Sequence, residues 1–499
     1  MIALRRLLLF LSLPLTLLLL ATLWLGWRLL LHENRDDPVR LENKRVYLES
    51  LVQVASLQSG TTEAGSTEAD RPDIVFILFD DLGLGDLGFT QSSAVGPAHP
   101  IATPALDQLA ANGVVLDTFY APAAVCTPSR AGFLTGRNAL RAGIPDVVFP
   151  TGSWKSLINI LPGRPTRIPA EEILLPEMLQ AAGYRTAMVG KWHLGDRSPS
   201  LPNELGFEHY YGALYSNDME PFALYRNTEV AVEAPVDQTR LNRLYVDAAL
   251  AAISETPAGQ PLFLYFAHNF PHRPLYASPE QQGKSRAGLY GDVIEDLDRG
   301  VAAIVAALRR SGRFDNTLIV VSSDNGPWYQ GSAAGTRGRK GESFEGGGRV
   351  PFLAHWPVRL PAGLRHRGMA SGLDLLPTIA DWLQLPLPQD RIIDGRSLRG
   401  LLAGETDSPH DYLFTVASDQ VMAVRDSRFK YHGKRPVMYA PMPSSIGFSV
   451  PQGPWLIDLQ ADPLESWDAS SHYPTEAASM GAVLGKRRQE MKENPRGWR

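Results

Sequence analysis

Four short apolar runs constrain the fold of this chain more than any other feature: IVFILF (74–79), YRTAMVG (184–190), PLFLYFA (261–267) and TLIVVSS (317–323). Each is too short for a buried helix and is bounded by turn or charged residues, so each is predicted as a buried strand. Segments with helical spacing lie between them. TPALDQLAANG (103–113) and LPEMLQAAGY (175–184) run into a glycine where a helix would stop. VIEDLDRGVAAIVAALRRSG (293–312) sets Ile294, Leu297, Val301, Ile304 and Leu308 on one face before Gly312. Strands alternating with helices specify an α/β fold, a large mixed, mostly parallel sheet covered by helices on both faces.

Each of the four strands is followed at once by polar residues. Asp80 and Asp81 follow the first, Lys191 and His193 the second, His268 and His272 the third, Asp324 and Asn325 the fourth. Open α/β sheets bind ligands at the carboxyl ends of their strands, so four separate segments deliver polar groups to one edge. The Asp and Asn side chains offer hard oxygen donors, which suit calcium or magnesium better than zinc or copper. In GKWHLG (190–195), an extended backbone would put Lys191 and His193 on the same side. Lys340 joins them from a glycine-rich loop, AGTRGRKGESFEGGGRVP (334–351). A metal, lysines and histidines together describe a site for an anion.

The length of 499 residues allows one large domain and a smaller appendage. A net charge of −5, with no basic block in the middle of the chain, argues against a nucleic-acid groove. Arg5 and Arg6 precede an uncharged run from Leu7 to Trp27, long enough to cross a bilayer. Residues 1–40 are therefore expected to form a signal-anchor or transmembrane segment, with the body outside the cytoplasm, in a bacterial periplasm. A cleaved signal peptide is the second choice, since its apolar region would be shorter. Residues 41–72, ending in LQSGTTEAGSTEADRPD (57–73), read as a flexible linker. Residues 73–405 would be the catalytic domain, and 406–499 a small α+β subdomain with a short antiparallel sheet and a closing helix. The basic tail from 485 to 499 reads as a solvated terminus.

The chain has one cysteine, Cys126, so an exported body would carry no internal disulfide. Cys126 stands in CTPSR (126–130), which reads as a helix start with Cys126 and Arg130 facing the same way. A thiolate there, beside an arginine, would be activated, so a direct thiol nucleophile is one chemistry open to it. CTPSR followed by LTGR (134–137) resembles the signature of the type I sulfatases. DIVFILFDDLGLGDLG (73–88), TPALDQLAANG, GKWHLG, SSDNGP (322–327), the RKGESFEGGGRVP stretch, DLLPTIADWL (374–383) and IDLQADPLESWD (457–468) fall in that family's order. The resemblance spans residues 73–468.

What the resemblance implies is specific. Cys126 would be oxidised after synthesis, by a formylglycine-generating enzyme, to Cα-formylglycine. One hydroxyl of the hydrated aldehyde would attack sulfur and displace the alcohol. The second would then lose its proton as the C–O bond breaks and sulfate leaves. Asp80, Asp81, Asp324, Asn325 and residue 126 would bind one calcium ion, with magnesium less suited, and Asp324 would also assist deprotonation. Arg130 and Lys191 would stabilise the hydrate, and His193 would take the second proton. His272, in AHNFPHRP (267–274), and Lys340 would contact the sulfate. The substrate would be a small-molecule or carbohydrate sulfate ester. A phosphonate or phosphate ester hydrolase of the same superfold is the alternative enzyme, and an unconverted, membrane-tethered binder of sulfated ligands the non-enzymatic one. His268 reads as structural, His209 and His355 as packing or surface residues. Asn217 and Asp218 read equally as pocket lining or as a turn.

Overall fold

The computed structural model describes residues 16–17, 19–24, 26, 36–60, 71–90, 101–417, 420–433, 435–436 and 451–499. Its centre is a ten-stranded sheet. In chain order the strands are β1 (Asp73–Phe79), β2 (Val114–Tyr120), β3 (Arg185–Gly190), β4 (His209–Gly212), β5 (Leu224–Arg226), β6 (Glu229–Val232), β7 (Leu262–Ala267), β8 (Thr317–Ser323), β9 (Phe352–His355) and β10 (Leu364–Ser371). Across the sheet they run β10-β2-β9-β8-β1-β7-β3-β4-β5-β6. The four strands read from the apolar runs are the contiguous centre, β8-β1-β7-β3, and every pairing among them is parallel. β9 runs antiparallel to both β2 and β8, and β4-β5-β6 form an antiparallel margin.

Burial on both faces explains why these strands read as unbroken apolar runs. Ile74, Phe76 and Leu78 enter one core, where they meet helices α3 (Cys126–Thr135), α4 (Leu175–Ala181) and α7 (Leu375–Trp382). Val75, Ile77 and Phe79 enter the other, beneath α2 (Pro104–Ala111), α5 (Leu241–Glu255) and α6 (Gly288–Arg310). The predicted α6 face is fully used, since Ile294, Leu297, Val301, Ile304 and Leu308 are all buried there. Each such side chain contributes about 1.5–3 kcal/mol of burial free energy, which suits a fold without disulfides.

The C-terminal part is a four-stranded antiparallel sheet, β11 (Leu413–Ala417), β12 (Gln420–Arg425), β13 (Phe429–His432) and β14 (Trp455–Asp458). Helix α8 (Pro474–Glu493) closes it through Met480, Leu484 and Met491.

Two expectations need correction. The stretch 41–60 is no tether, because helix α1 (Pro38–Gly60) packs on the body. Leu51 is wholly buried, with Tyr47, Leu48 and Val54 against the same core. Lys44 pairs with the buried Glu177 at 2.6 Å and donates to the carbonyls of Ala170 and Glu172 at 2.8 Å each. Residues 61–70 of the expected linker lie outside the described residues. The basic tail is not a solvated end either. Trp498 lies among the guanidinium groups of Arg40, Arg137, Arg391 and Arg496, each within 4.9 Å of its ring centre, and Arg496 pairs with Glu172 at 2.8 Å.

Much of the expected anchor lies outside the described residues. Its described part, between residues 16 and 26, is helical with exposed leucines. Among the described residues no helix is long and apolar enough to cross a membrane.

Candidate active site

Ladder hydrogen bonds continue past the ends of the central strands and lock their exits together. Lys191 N–H donates to Ala267 (2.7 Å), His268 N–H to Leu78 (2.9 Å), Asp324 N–H to Phe79 (3.0 Å) and Asp80 N–H to Phe270 (3.2 Å). Each polar cluster is thus carried on backbone that is still paired. Two residues leave that regular path in the left-handed region, Asp81 (φ 65°) and His193 (φ 62°). Non-glycine residues there are strained, a cost that recurs at functional sites. The turn at His193 also replaces the extended geometry expected for GKWHLG, because β3 ends at Gly190.

Cys126 opens α3 behind an extended Val125, and Arg130 lies one turn on. Both point into the cluster. The Cys126 Sγ lies 3.4 Å from Asp80 Oδ1 and 3.1 Å from the Lys340 ammonium. Arg130, wholly buried, donates to Asp324 through Nε (3.0 Å), meets the same carboxylate through Nη2 (2.9 Å) and donates to the Lys191 carbonyl through Nη1 (2.8 Å). Lys191 donates to Asp80, and Lys340 pairs with Asp81 at 2.6 Å. Asn325 donates to Asp81 (2.7 Å) and to the Gly326 carbonyl (2.9 Å). All ten sequence-predicted site residues therefore come together, with His193 and His272 at the margins.

The two histidines are oriented differently. His272 Nδ1–H donates to the Arg273 carbonyl at 2.6 Å, with Asn217 Oδ1 at 3.2 Å, which leaves Nε2 facing Asp81 at 3.8 Å. His193 donates from Nε2 to the Val148 carbonyl at 3.0 Å. Its Nδ1 is buried with no hydrogen-bond partner among the described residues. His268 accepts the Phe270 N–H at 2.9 Å and packs edge-on or tilted against the rings of Tyr245, Phe266 and Phe270, and burial lowers its pKa to about 3, consistent with a structural role.

Charge sorts these groups. Burial alone would raise Asp80, but Lys191, His272, Arg130 and Lys340 hold it well below the ordinary carboxylate range. Burial and the neighbouring Asp80 push Asp324 up to about 7, against Arg130 and Lys191. Burial opposes the charge on Lys340, but Asp81 leads a set of neighbours that keep its pKa well above normal. Burial, then Lys191 and Arg130, lower His193, which is therefore neutral with its lone pair on Nδ1. Burial and Asp80 drive the Cys126 thiol far above its ordinary range. That corrects the activated-thiolate expectation: burial and a carboxylate outweigh the nearby ammonium groups, and the thiol stays protonated.

Ligand atoms of Asp80, Asp81, Cys126 and His272 lie within 4.8 Å of one another. Asn325 Oδ1 is buried without a hydrogen-bond partner among the described residues, while both protons of its amide are used. An unpaired amide oxygen beside three carboxylates fits a hard cation. Sequence reasoning left Asn217 open and missed Ser216 and the Val148 carbonyl, which orient the two histidines. Nothing local in YSNDME or in the loop around Val148 signals those contacts, which come from segments 45 to 56 residues away.

A family model described as Sulfatase matches residues 72–385. Arylsulfatase A of Homo sapiens is 34% identical, over 81% of this chain and 84% of its own length. N-acetylgalactosamine-6-sulfatase of Canis lupus familiaris is 35% identical, over 75% of this chain and 73% of its own. The solved PsFucS1 sulfatase from Pseudoalteromonas sp. superposes with a TM-score of 0.74 at 25% identity, over 92% of this chain and 96% of the other. Strand exits that gather carboxylates, lysines and one cysteine, together with these matches, lead to one conclusion: the chain belongs to the sulfatase family and is a hydrolase of sulfate esters.

Proposed function

We propose that the protein hydrolyses sulfate monoesters in the arylsulfatase manner, with a nucleophile derived from Cys126 and one bound calcium ion. The observation that carries this reading is the convergence of Asp80, Asp81, Cys126 and His272 within 4.8 Å, with Lys340 bridging Asp81 and the cysteine sulfur. Converted to Cα-formylglycine by a formylglycine-generating enzyme, residue 126 would supply a hydrated aldehyde whose hydroxyl attacks sulfur. Asp80, Asp81, Asp324, Asn325 and residue 126 would hold the calcium, which would polarise a sulfate oxygen; magnesium is less suited to so many oxygen donors.

Charge arithmetic supports an anionic substrate. Asp80, Asp81 and Asp324 are matched by Arg130, Lys191 and Lys340, so a divalent cation leaves a surplus of positive charge. Lys340 and His272, the two of these groups with some exposure, would meet the incoming sulfate, and the preorganised Lys340 ammonium would stabilise the charge that develops. His272 faces the site with Nε2, and that nitrogen would carry a proton to the leaving oxygen only from the imidazolium, a form that burial and Lys340 disfavour before substrate binds. His193 Nδ1, which carries the lone pair and has no hydrogen-bond partner among the described residues, would accept a proton from residue 126. Arg130 and Lys191 would stabilise the hydrate.

The substrate would be a small-molecule or carbohydrate sulfate ester. The basic-flanked apolar run Leu7–Trp27 supports an enzyme anchored in the membrane with its body in the periplasm, and a chain with one cysteine suits export without disulfides. The reading is tested by turnover of 4-nitrophenyl sulfate after coexpression with the maturing enzyme. Sulfate release should be lost with a chelator and restored by calcium. A strong preference for the phosphonate or phosphate ester would overturn the assignment.

A further inference from the structure

Two sequence motifs far from each other, RKGESFEGGGRVP and IDLQADPLESWD, contribute buried glutamates that the chemistry above does not use. They meet. Glu345, from the loop that carries Lys340, and Glu465, from the C-terminal subdomain, are 2% and 0% exposed. Lys430, on β13, lies between them, 2.9 Å from Glu345 and 3.2 Å from Glu465.

The contacts of Glu465 fall on both sides of Lys340. Its backbone carbonyl accepts from Arg337 at 2.8 Å, three residues before the lysine. Its carboxylate accepts the Glu345 N–H at 2.6 Å, five residues after it. His432, on β13, donates from Nε2 to Glu465 at 3.0 Å and faces the Ser343 hydroxyl with Nδ1 at 3.4 Å. Phe344 fills the space between, 5.0 Å from the His432 ring and 4.1 Å beneath the Arg337 guanidinium. Glu465 itself has φ 51°, a strained backbone for a side-chain-bearing residue. On the other side Gly341 N–H donates to the Ala124 carbonyl at 2.7 Å, two residues before Cys126.

We propose that Glu465 is a positioning residue for Lys340: the C-terminal subdomain clamps the 334–348 loop at two points and so fixes the lysine against Asp81 and residue 126. An apolar contact would hold the two parts together at least as well as buried charges do. Charges and a strained backbone at this seam instead fix the register of one loop. The inference rests on the reading of Lys340 as a sulfate-binding group.

The test is a double-mutant cycle, with Glu465→Gln, Lys340→Ala and their combination assayed for kcat, KM and inhibition by inorganic sulfate. Glu465→Gln should lower kcat/KM about tenfold and weaken sulfate inhibition, whereas in the Lys340→Ala background it should cost less than about twofold. Should Glu465→Gln fail to fold, Arg337→Met cuts one of the two clamps from an exposed side chain and enters the same cycle, with a coupled loss of about threefold expected. Equal losses in both backgrounds, or none in either, would overturn the inference alone. A Lys340→Ala enzyme with unchanged sulfate inhibition would overturn the reading of Lys340, and this inference with it.

Discussion

Asn325 holds the acidic cluster together through two donated hydrogen bonds, to Asp81 at 2.7 Å and to the Gly326 carbonyl at 2.9 Å. Its remaining oxygen is the one ligand atom at the site that nothing else in the described chain satisfies. Replacing the amide by a carboxylate, in Asn325→Asp, removes both donors and sets a second charge against Asp81. A loss of about 3 kcal/mol is expected for the metal-free protein, from buried acceptors left unpaired and like charges in contact. Calcium should reverse much of it, because the new carboxylate is also a ligand. Thermal unfolding of both proteins, in chelator and in calcium, measures this; a gap that calcium does not narrow would place the cation elsewhere. Charge at this scale also separates two neighbouring acids, with Asp80 held ionised by its basic neighbours, Lys191 foremost, while Asp324 is pushed up to about 7 by burial and by Asp80.

The central strands were readable because burial on both faces forces continuous apolar sequence, and the residues after them were readable as a site because parallel strands end on one edge. His272 was readable from the strand it follows and Lys340 from its glycine-rich loop, but their roles toward sulfate came only through resemblance, since no local pattern ties that loop to β1. Helix α1 was missed although Tyr47, Leu48, Leu51, Val54 and Ala55 recur at helical spacing. The Ser/Thr/Gly stretch after it drew the whole segment into a linker. The Glu345–Lys430 contact was equally hidden, being a pairing between elements 85 residues apart. It carries a pH signature. Burial would raise the Glu345 pKa, but Lys430, Arg425 and Arg349 outweigh it and bring it from 4.5 to about 2. A folded pKa below the unfolded one gives stability that is present above about pH 4.5 and is lost as pH falls towards 2. The shift corresponds to about 3 kcal/mol. Urea unfolding should find Glu345→Gln less stable than the parent by roughly that amount at pH 7, with the gap closing below pH 4. A gap independent of pH would mean that packing, not charge, holds the seam.

At the scale of the molecule, one sheet edge gathers the chemistry, a second small sheet holds the loop that completes it, and helix α1 and the C-terminal tail both pack on the body. Trp498 packs among arginines from α1, from the segment after α3, from residue 391 and from the tail itself, and so ties the closing helix to the catalytic domain. All of this positions residue 126, where a buried, protonated thiol is a poor nucleophile. The central claim is that this thiol does not persist. The measurement that tests it most directly is mass spectrometry of the peptide spanning Cys126, from protein expressed with and without a formylglycine-generating enzyme, alongside sulfate release from 4-nitrophenyl sulfate. The expected result is an aldehyde-bearing peptide whose abundance tracks sulfatase activity across preparations. Full activity from protein in which residue 126 remains a thiol would contradict the account.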